Sequence, residues 1–110
     1  SDVYKRQVYN YARSLGYEVS VGRIGKLECD FVMRSPEMEY AYVQVAMTIM
    51  SDRKTEDREY RPLEQIRDNW PKFVITRGDP IQHRGGIVHE NVTELIGEGR
   101  TFGLARSSSP

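Results

Sequence analysis

Hydrophobic and polar residues alternate with two different periods along this chain. Apolar residues at helical spacing predict a first helix over residues 8–15, ended by Gly16 in the C-cap role. Period-two alternation then predicts strands that short turns join into a three-stranded antiparallel meander. These strands are predicted at residues 17–21, 27–33 and 40–47, with the first turn at residues 22–25.

The next stretch predicts a second helix within a highly charged segment, residues 51–68. Its apolar stripe at helical spacing consists of Tyr60, Leu63 and Ile66. Pro62 predicts a kink or a late start near Arg61, because a proline inside a helix costs about 3 kcal/mol. A compact apolar strand is then predicted at residues 72–76, a short strand at 86–89 and a helical turn at 91–96.

The first seven residues, SDVYKRQ, resemble the translation of a sequencing adapter. We therefore predict that residues 1–7 are a non-native leader and that the domain spans residues 8–96. Residues 97–110 are rich in Gly and Ser and predict a flexible tail. The other interpretation of the leader is an ordinary helix start, in which Asp2 could serve as the cap.

Composition limits the class of protein. A length of 110 residues and a mean hydropathy of −0.63 fit one domain with a modest core. Lys and Arg number 16, as do Asp and Glu, so the zero formal charge gives no global argument for nucleic-acid binding, although a local basic patch could exist. The single cysteine, Cys29, fits a reducing compartment, and no apolar run could span a bilayer. We expect a cytoplasmic protein without a membrane partner.

Candidate chemistry lies on the two strands within residues 27–47. Alternation places Glu28 and Asp30 on one face, where Gln44 of the next strand could join them, and Cys29 on the opposite face with Phe31 and Met33. Many metal-dependent nucleases hold Mg²⁺ with a carboxylate beside a Glu/Gln-x-Lys sequence. Here that sequence reads Gln44-Val45-Ala46, so the lysine is missing. The alternative is a polar sheet face without any function.

Several separated motifs occur in one order along the chain: GYEVSVGRIGKLECDFV, YVQVA and REYRPLEQIRDNWPKFVIT. Together they resemble the C-terminal restriction-endonuclease-like domain of prokaryotic AAA-type ATPases, a domain mostly of unknown function. The resemblance covers residues 8–96. It implies a small α/β core of the PD-(D/E)XK type, in the order helix, three-strand meander, helix, two strands and short helix.

The resemblance also implies roles for individual positions. Asp30 stands where the nuclease superfamily has its metal-binding Asp, Gln44 at the Glu/Gln position and Ala46 at the lysine position. A glutamate that the superfamily often places on the first helix would fall at or near Lys5, within the predicted leader. Lys26 and Lys72 are the other lysines that could in principle supply the missing amine.

The resemblance implies a non-catalytic accessory domain that offers a binding surface to DNA or to a protein. Its partner would be its own ATPase domain, since no phosphate-binding loop of the Gly-x4-Gly-Lys-Ser/Thr type occurs in this chain. No cofactor is expected in that case. A second hypothesis is a DNA endonuclease that uses Mg²⁺ or Mn²⁺ bound by Asp30, Glu28 and Gln44, and a third is a structural domain that forms homo-oligomers.

Other candidate residues give weaker signals. The spacing of His83 and His89 fits no common zinc ligand set, so both are predicted to be surface histidines. The charged run at residues 52–61 is typical of a solvated helix face. The resemblance implies more for Arg58 and Glu59, because this pair also occurs in the family that the chain resembles, which makes them candidates for an interdomain or DNA-backbone contact.

Overall fold

The computed structural model of the protein describes residues 2–24 and 26–103, apart from the side chains of Ile24 and Leu27. The order of elements confirms the predicted one: helix, three strands, helix, two strands and short helix. The elements are α1 (Asp2–Ser14), β1 (Glu18–Ile24), β2 (Leu27–Arg34), β3 (Tyr40–Val45), α2 (Arg53–Glu64), β4 (Lys72–Thr76), β5 (Val88–Asn91) and α3 (Val92–Gly97).

The strands form a five-stranded mixed sheet in the order β1-β2-β3-β4-β5. Strands β1, β2 and β3 pair antiparallel, which confirms the predicted meander, whereas β3, β4 and β5 pair parallel. The parallel pairing of β3 with β4 requires a crossover, and α2 supplies it. The structure is therefore an α/β fold, and none of its described helices is long and apolar enough to span a membrane.

Two apolar clusters, one on each face of the sheet, form the core. Helices α1 and α3 cover the first cluster, which includes Val8, Ala12, Met33, Val43, Ile75, Leu95 and Phe102. Helix α2 covers the second cluster, which includes Cys29, Tyr42, Tyr60, Leu63, Ile66, Val74 and Ile87. The stripe of Tyr60, Leu63 and Ile66 predicted from the sequence thus faces the sheet.

Helix α1 begins at Asp2, well before the predicted start at Val8. Its first turns belong to the fold, since Tyr4 packs against the first cluster. The helix ends as predicted, with Gly16 at a positive φ of 91° that a Cβ would strain. The prediction of a short helix starting at residue 8 is therefore wrong.

Helix α2 begins at Arg53, so the predicted late start near Arg61 is wrong. The Asp52 carboxylate caps this helix by accepting a hydrogen bond of 2.7 Å from the Thr55 N–H. Pro62 lies inside the helix, which ends two residues later at Glu64. Because proline has no N–H, the helix lacks the hydrogen bond from position 62 to the carbonyl of Arg58, one turn earlier.

The β1–β2 pair contains a bulge that breaks the simple alternation. Ser20 pairs with Val32, whereas Gly22, two residues farther along β1, pairs with Cys29. Strand β2 therefore carries an extra residue around Asp30, which defines a β-bulge. Strand β1 continues through Ile24, across the predicted turn at residues 22–25, of which Gly25 lies outside the described residues.

The bulge moves Cys29 to the face of the sheet opposite the predicted one. Cys29 packs in the second cluster, whereas Phe31 and Met33, predicted to share its face, pack in the first. Burial raises the pKa of the Cys29 thiol to about 11. Cys29 is therefore a packed, protonated side chain rather than a reactive one.

The packed region of the chain extends beyond the predicted boundary at Ile96. Phe102 is 1% exposed, and its ring lies edge-on to Tyr17 and Phe73 at centroid distances of 5.6 and 5.5 Å. The Phe102 N–H also donates a 3.3 Å hydrogen bond to the Tyr17 hydroxyl. A flexible tail starting at residue 97 is thus the wrong description of this region, and residues 104–110 lie outside the described residues.

His89 is buried on β5, contrary to the predicted surface position, while His83 is exposed as predicted. The Gln82 N–H donates to His89 Nδ1 at 2.9 Å, so the proton of the neutral ring sits on Nε2 and points at Thr76 Oγ1, 2.7 Å away. The Thr76 hydroxyl in turn donates to Asn91 Oδ1 at 2.8 Å. A second proton on His89 would remove the acceptor of the Gln82 N–H.

Replacing Gly22 with Ala should destabilise the protein, because the new Cβ would lie 2.4 Å from Cys29 Sγ and 2.8 Å from the Cys29 carbonyl oxygen. The expected loss is roughly 1–3 kcal/mol in the free energy of unfolding, as for other overpacked sites, measured by urea denaturation. Gly78→Ala is the control, since a Cβ there meets nothing within 4 Å. Equal losses in the two variants would contradict the bulge geometry.

The free energy of unfolding should fall as the pH drops through about 6.5, the pKa of histidine in an unfolded chain. Burial lowers the pKa of native His89, although the charge of Asp79 partly opposes this. The unfolded state therefore binds more protons than the native state in this pH range. Urea denaturation at a series of pH values should show a shallower pH slope for His89→Gln than for the wild type.

The control for this pH experiment is His83→Gln, which changes an exposed histidine outside the buried network. It should keep the wild-type dependence on pH. A wild-type slope retained in His89→Gln would contradict the role assigned to His89.

Candidate functional site

Asp30 and Gln44 meet where β2 and β3 separate. The backbone pairs between these strands run from Arg34 with Tyr40 to Phe31 with Val43. One residue beyond the last pair, the Asp30 N–H donates to Gln44 Oε1 at 2.6 Å. The Val45 N–H donates to Asp30 Oδ2 at 2.7 Å.

The two side chains thereby complete the hydrogen bonds of their own strands. A buried backbone N–H needs an acceptor, and here side-chain oxygens take the place of backbone carbonyls. Gln44 is 8% exposed, so leaving its amide or its partners unbonded would be costly. The proximity of Asp30 and Gln44 predicted from strand alternation is confirmed. Their side-chain oxygens, however, accept hydrogen bonds from backbone N–H groups and do not bond to each other.

Glu28, the third predicted metal ligand, takes no part in this hydrogen-bond network. Its side chain is 70% exposed, and its carboxylate lies 2.6 Å from the Arg23 guanidinium. An exposed ion pair of this kind contributes about 0–1 kcal/mol. Glu28 lines a shallow cavity of about 510 Å³ together with Asp30 and Gln44, so it remains a neighbour of the site.

The amine nearest to Asp30 comes from α1. Lys5 Nζ lies 3.2 Å from Asp30 Oδ1, and the two side chains are 36% and 21% exposed. Ala46, at the lysine position implied by the resemblance, is buried, and its N–H donates to the Ile75 carbonyl at 2.9 Å. Lys5 belongs to the predicted leader, so the site in this structure includes a segment that we predicted to be non-native.

Neither of the other candidate lysines takes this position. Lys72 Nζ is 3.1 Å from Asp68 Oδ1 and also donates to the Asp68 carbonyl at 2.9 Å. Lys26 lines a separate cavity along α2.

Glu59 of α2 also belongs to this site, although we predicted it only as a candidate for an interdomain or DNA-backbone contact. The Gln44 Nε2 group donates to Glu59 Oε1 at 3.2 Å, and the Glu59 side chain is 15% exposed. Burial raises the pKa of Glu59 and the charge of Asp30 raises it further, while Arg58 and Lys5 act in the opposite direction. The sequence gives only a weak indication that Glu59 lies in the site, because Glu59 stands in a charged run that predicts a solvated helix face.

These side chains line a polar cavity of about 430 Å³ beside the first turns of α2, here called the Asp30 cavity. Its lining includes Lys5, Asp30, Gln44, Thr48, Thr55, Arg58 and Glu59. The carboxylates of Asp30 and Glu59 are oxygen ligands of the kind Mg²⁺ prefers. Within residues 2–24 and 26–103, however, no group of three or more His, Cys, Asp or Glu side chains could hold a metal ion.

The polar side-chain groups of Asp30 and Gln44 are already engaged within the protein. Lys5 and the Val45 N–H each take one oxygen of Asp30. The Gln44 amide oxygen faces the Asp30 N–H, and its nitrogen faces Glu59. A metal ligated by Asp30 and Gln44 would have to share oxygens that already accept a backbone hydrogen bond or lie against the Lys5 ammonium.

Comparisons with known proteins add one relative. Over 61 residues the chain is 39% identical to a Haemophilus influenzae protein described only as uncharacterized. The match covers 56% of this chain and 14% of the relative, so the chain spans a small fraction of that protein's length. No protein-family model matches the chain, and no solved structure matches it.

Two substitutions should move the pKa of Glu59 in opposite directions. Asp30→Asn removes a neighbouring negative charge and should lower the pKa of Glu59, whereas Lys5→Met removes a positive charge and should raise it. The measurement is the titration of the Glu59 carboxyl carbon by NMR. Lys54→Met, a change at an exposed lysine of the same helix that does not line this cavity, should leave the pKa of Glu59 unchanged.

Shifts of the same sign in Asp30→Asn and Lys5→Met would contradict the arrangement. So would a change in Lys54→Met as large as in Lys5→Met.

Proposed function

We propose that this chain is a non-catalytic accessory domain of a larger AAA-type ATPase, built on a restriction-endonuclease-like core. In this proposal the pocket that binds metal in active nucleases has become a structural hydrogen-bond centre. The observation that carries the proposal is the engagement of Asp30, whose carboxylate forms an ion pair with the Lys5 ammonium and accepts a hydrogen bond from the Val45 N–H.

The fold supports the proposed core. The order α1-β1-β2-β3-α2-β4 with an antiparallel meander and a parallel β3–β4 pair is the arrangement expected for a PD-(D/E)XK-type core. Asp30 and Gln44 also lie next to each other on adjacent strands, as the resemblance implies.

The loss of catalysis is supported by the side chains around Asp30. Ala46 stands at the lysine position and cannot polarise a water molecule or stabilise a developing charge. Gln44 brings no charge to a cation and directs its oxygen to a backbone N–H. The negative charge of Asp30 is compensated by the ammonium group of Lys5.

The context of a larger protein is supported by the length of the relative, of which the chain matches 14%. We place the ATPase domain, the partner implied by the resemblance, outside this chain. The cytoplasm is the compartment proposed for it, because the buried Cys29 is a free thiol.

A second candidate function is a Mg²⁺- or Mn²⁺-dependent DNA endonuclease. The observation that favours it is the Lys5 amine, 3.2 Å from Asp30, which could replace the amine missing at Ala46. In that case Asp30 and Glu59, with the Gln44 amide, would hold the cation, which would activate a water molecule for attack on a phosphodiester. Glu28, paired with Arg23, would contribute nothing to it.

Incubation with supercoiled plasmid and millimolar Mg²⁺ or Mn²⁺ distinguishes the two candidates. We expect no cleavage by the purified protein, and no increase in its melting temperature with Mn²⁺, because the Asp30 oxygens are engaged internally. Metal-dependent cleavage that Asp30→Asn abolishes would overturn the proposal and establish the second candidate. Glu28→Gln is the matched control, since it removes an exposed carboxylate outside the hydrogen-bond network.

A further inference from the structure

The charges of α2 are distributed unevenly around the helix. On one side, Arg84 from the connection between β4 and β5 binds three acidic residues. Its guanidinium nitrogens lie 3.2 Å from Glu56, 2.8 Å from Asp57 and 2.9 Å from Glu64. One guanidinium thus offsets part of the negative charge of these three carboxylates.

The other side of α2 carries cations that are not neutralised in this way. Lys54, Arg58 and Arg61 are spaced so that they form one stripe along the helix. Lys26, from the connection between β1 and β2, faces this stripe, and the residues line a cavity of about 570 Å³, here called the α2 groove. This concentration of positive charge contrasts with the chain as a whole, whose formal charge is zero.

The cations of the α2 groove are available to a ligand. Arg58 and Arg61 are 74% and 66% exposed, and their ion-pair distances to described residues are long, 3.7 Å to Glu59 and 3.9 Å to Asp57. Lys26 and Lys54 are exposed and form no ion pair with any residue that the structure describes.

The acidic residues that line the same groove are already paired elsewhere. The Glu28 carboxylate lies 2.6 Å from Arg23, and Asp57 lies 2.8 Å from Arg84. The α2 groove therefore presents a surplus of positive charge on a protein without net charge. Such a surface attracts a polyanion.

We propose that the α2 groove binds the phosphate backbone of a nucleic acid. This inference rests on the proposed function, because it names the ligand of the accessory domain. Two arginines favour phosphate, since a guanidinium donates two parallel hydrogen bonds to one phosphate group. The rise from Lys54 to Arg61 is about 10 Å, which equals about three phosphate spacings of one strand measured along the axis of a duplex.

The position of Arg58 adds a consequence for the bound strand. Arg58 lines both the α2 groove and the Asp30 cavity. A strand held by Arg58 therefore passes directly beside Asp30 and Glu59, and in the proposed function it is held there without being cut.

Fluorescence anisotropy of a short labelled DNA duplex, measured over a range of salt concentrations, tests the inference. We expect the double variant Arg58→Ala/Arg61→Ala to weaken binding by at least about tenfold and to lower the salt slope by about two, one for each phosphate that the variant no longer neutralises. Arg53→Ala is the matched control, because Arg53 is exposed on the same helix but does not line the groove. It should bind like the wild type.

Three results would overturn the inference: no binding by the wild type at low salt, equal weakening in Arg53→Ala and the double variant, or tighter binding of a polyglutamate peptide than of the duplex. The last result would make an acidic peptide the ligand. Binding together with metal-dependent cleavage would leave this inference standing and overturn the non-catalytic function, so the two failures are distinguishable. Circular dichroism of each variant checks that the fold is retained.

Discussion

Strands β2 and β3 diverge immediately after their last backbone pair, and the N–H groups left there must find acceptors inside a folded protein. The Asp30 carboxylate accepts from the Val45 N–H, and the Gln44 amide accepts from the Asp30 N–H. Unbonded, each buried N–H would cost about 1–3 kcal/mol. The two side chains thus bridge β2 and β3 where the backbone pairing stops, and the packing of α1 and α2 brings Lys5 and Glu59 to them.

The bulge in β2 supports this arrangement. An extra residue around Asp30 bends a strand away from its regular path, as bulges generally do. It also turns the side chain of Cys29 to the other face of the sheet. Gly22 allows it, because any larger residue would collide with Cys29 across the pair. One β-bulge therefore underlies three features of the protein. These are the polar site at Asp30, the packing of Cys29 in the second cluster and the need for a glycine at position 22.

The sequence predicts elements well where the pattern is local. The strand at residues 72–76 was predicted with its observed bounds, because a continuous apolar run lies between Pro71 and a Gly-containing turn. The predicted face for the Cys29 side chain is wrong because one inserted residue reverses the alternation of β2. Nothing in the composition of β2 marks this insertion. The burial of His89 depends on its partners Thr76 and Gln82, which only the fold brings to it.

The candidate site shows the same limit. Asp30 and Gln44 could be paired from strand alternation, since neighbouring strands place opposed residues side by side. Glu59 could not, because a carboxylate in a run of charged residues is usually solvated, and it enters the site only through the packing of α2 on the sheet. Lys5 falls within the predicted leader and was therefore not expected in the site, although α1 carries it to Asp30.

Phe102 packs between rings from the start and the middle of the chain, and its N–H bonds to Tyr17, 85 residues away. The first apolar cluster is therefore incomplete until almost all of this stretch has been synthesised. During translation, Tyr17 and Phe73 are synthesised before Phe102. Their packing against Phe102 forms only after residues 77–102 have left the ribosome. Closure of so long a loop is slow compared with local helix formation. Until Phe102 arrives, the aromatic rings of Tyr17 and Phe73 lack one of their packing partners.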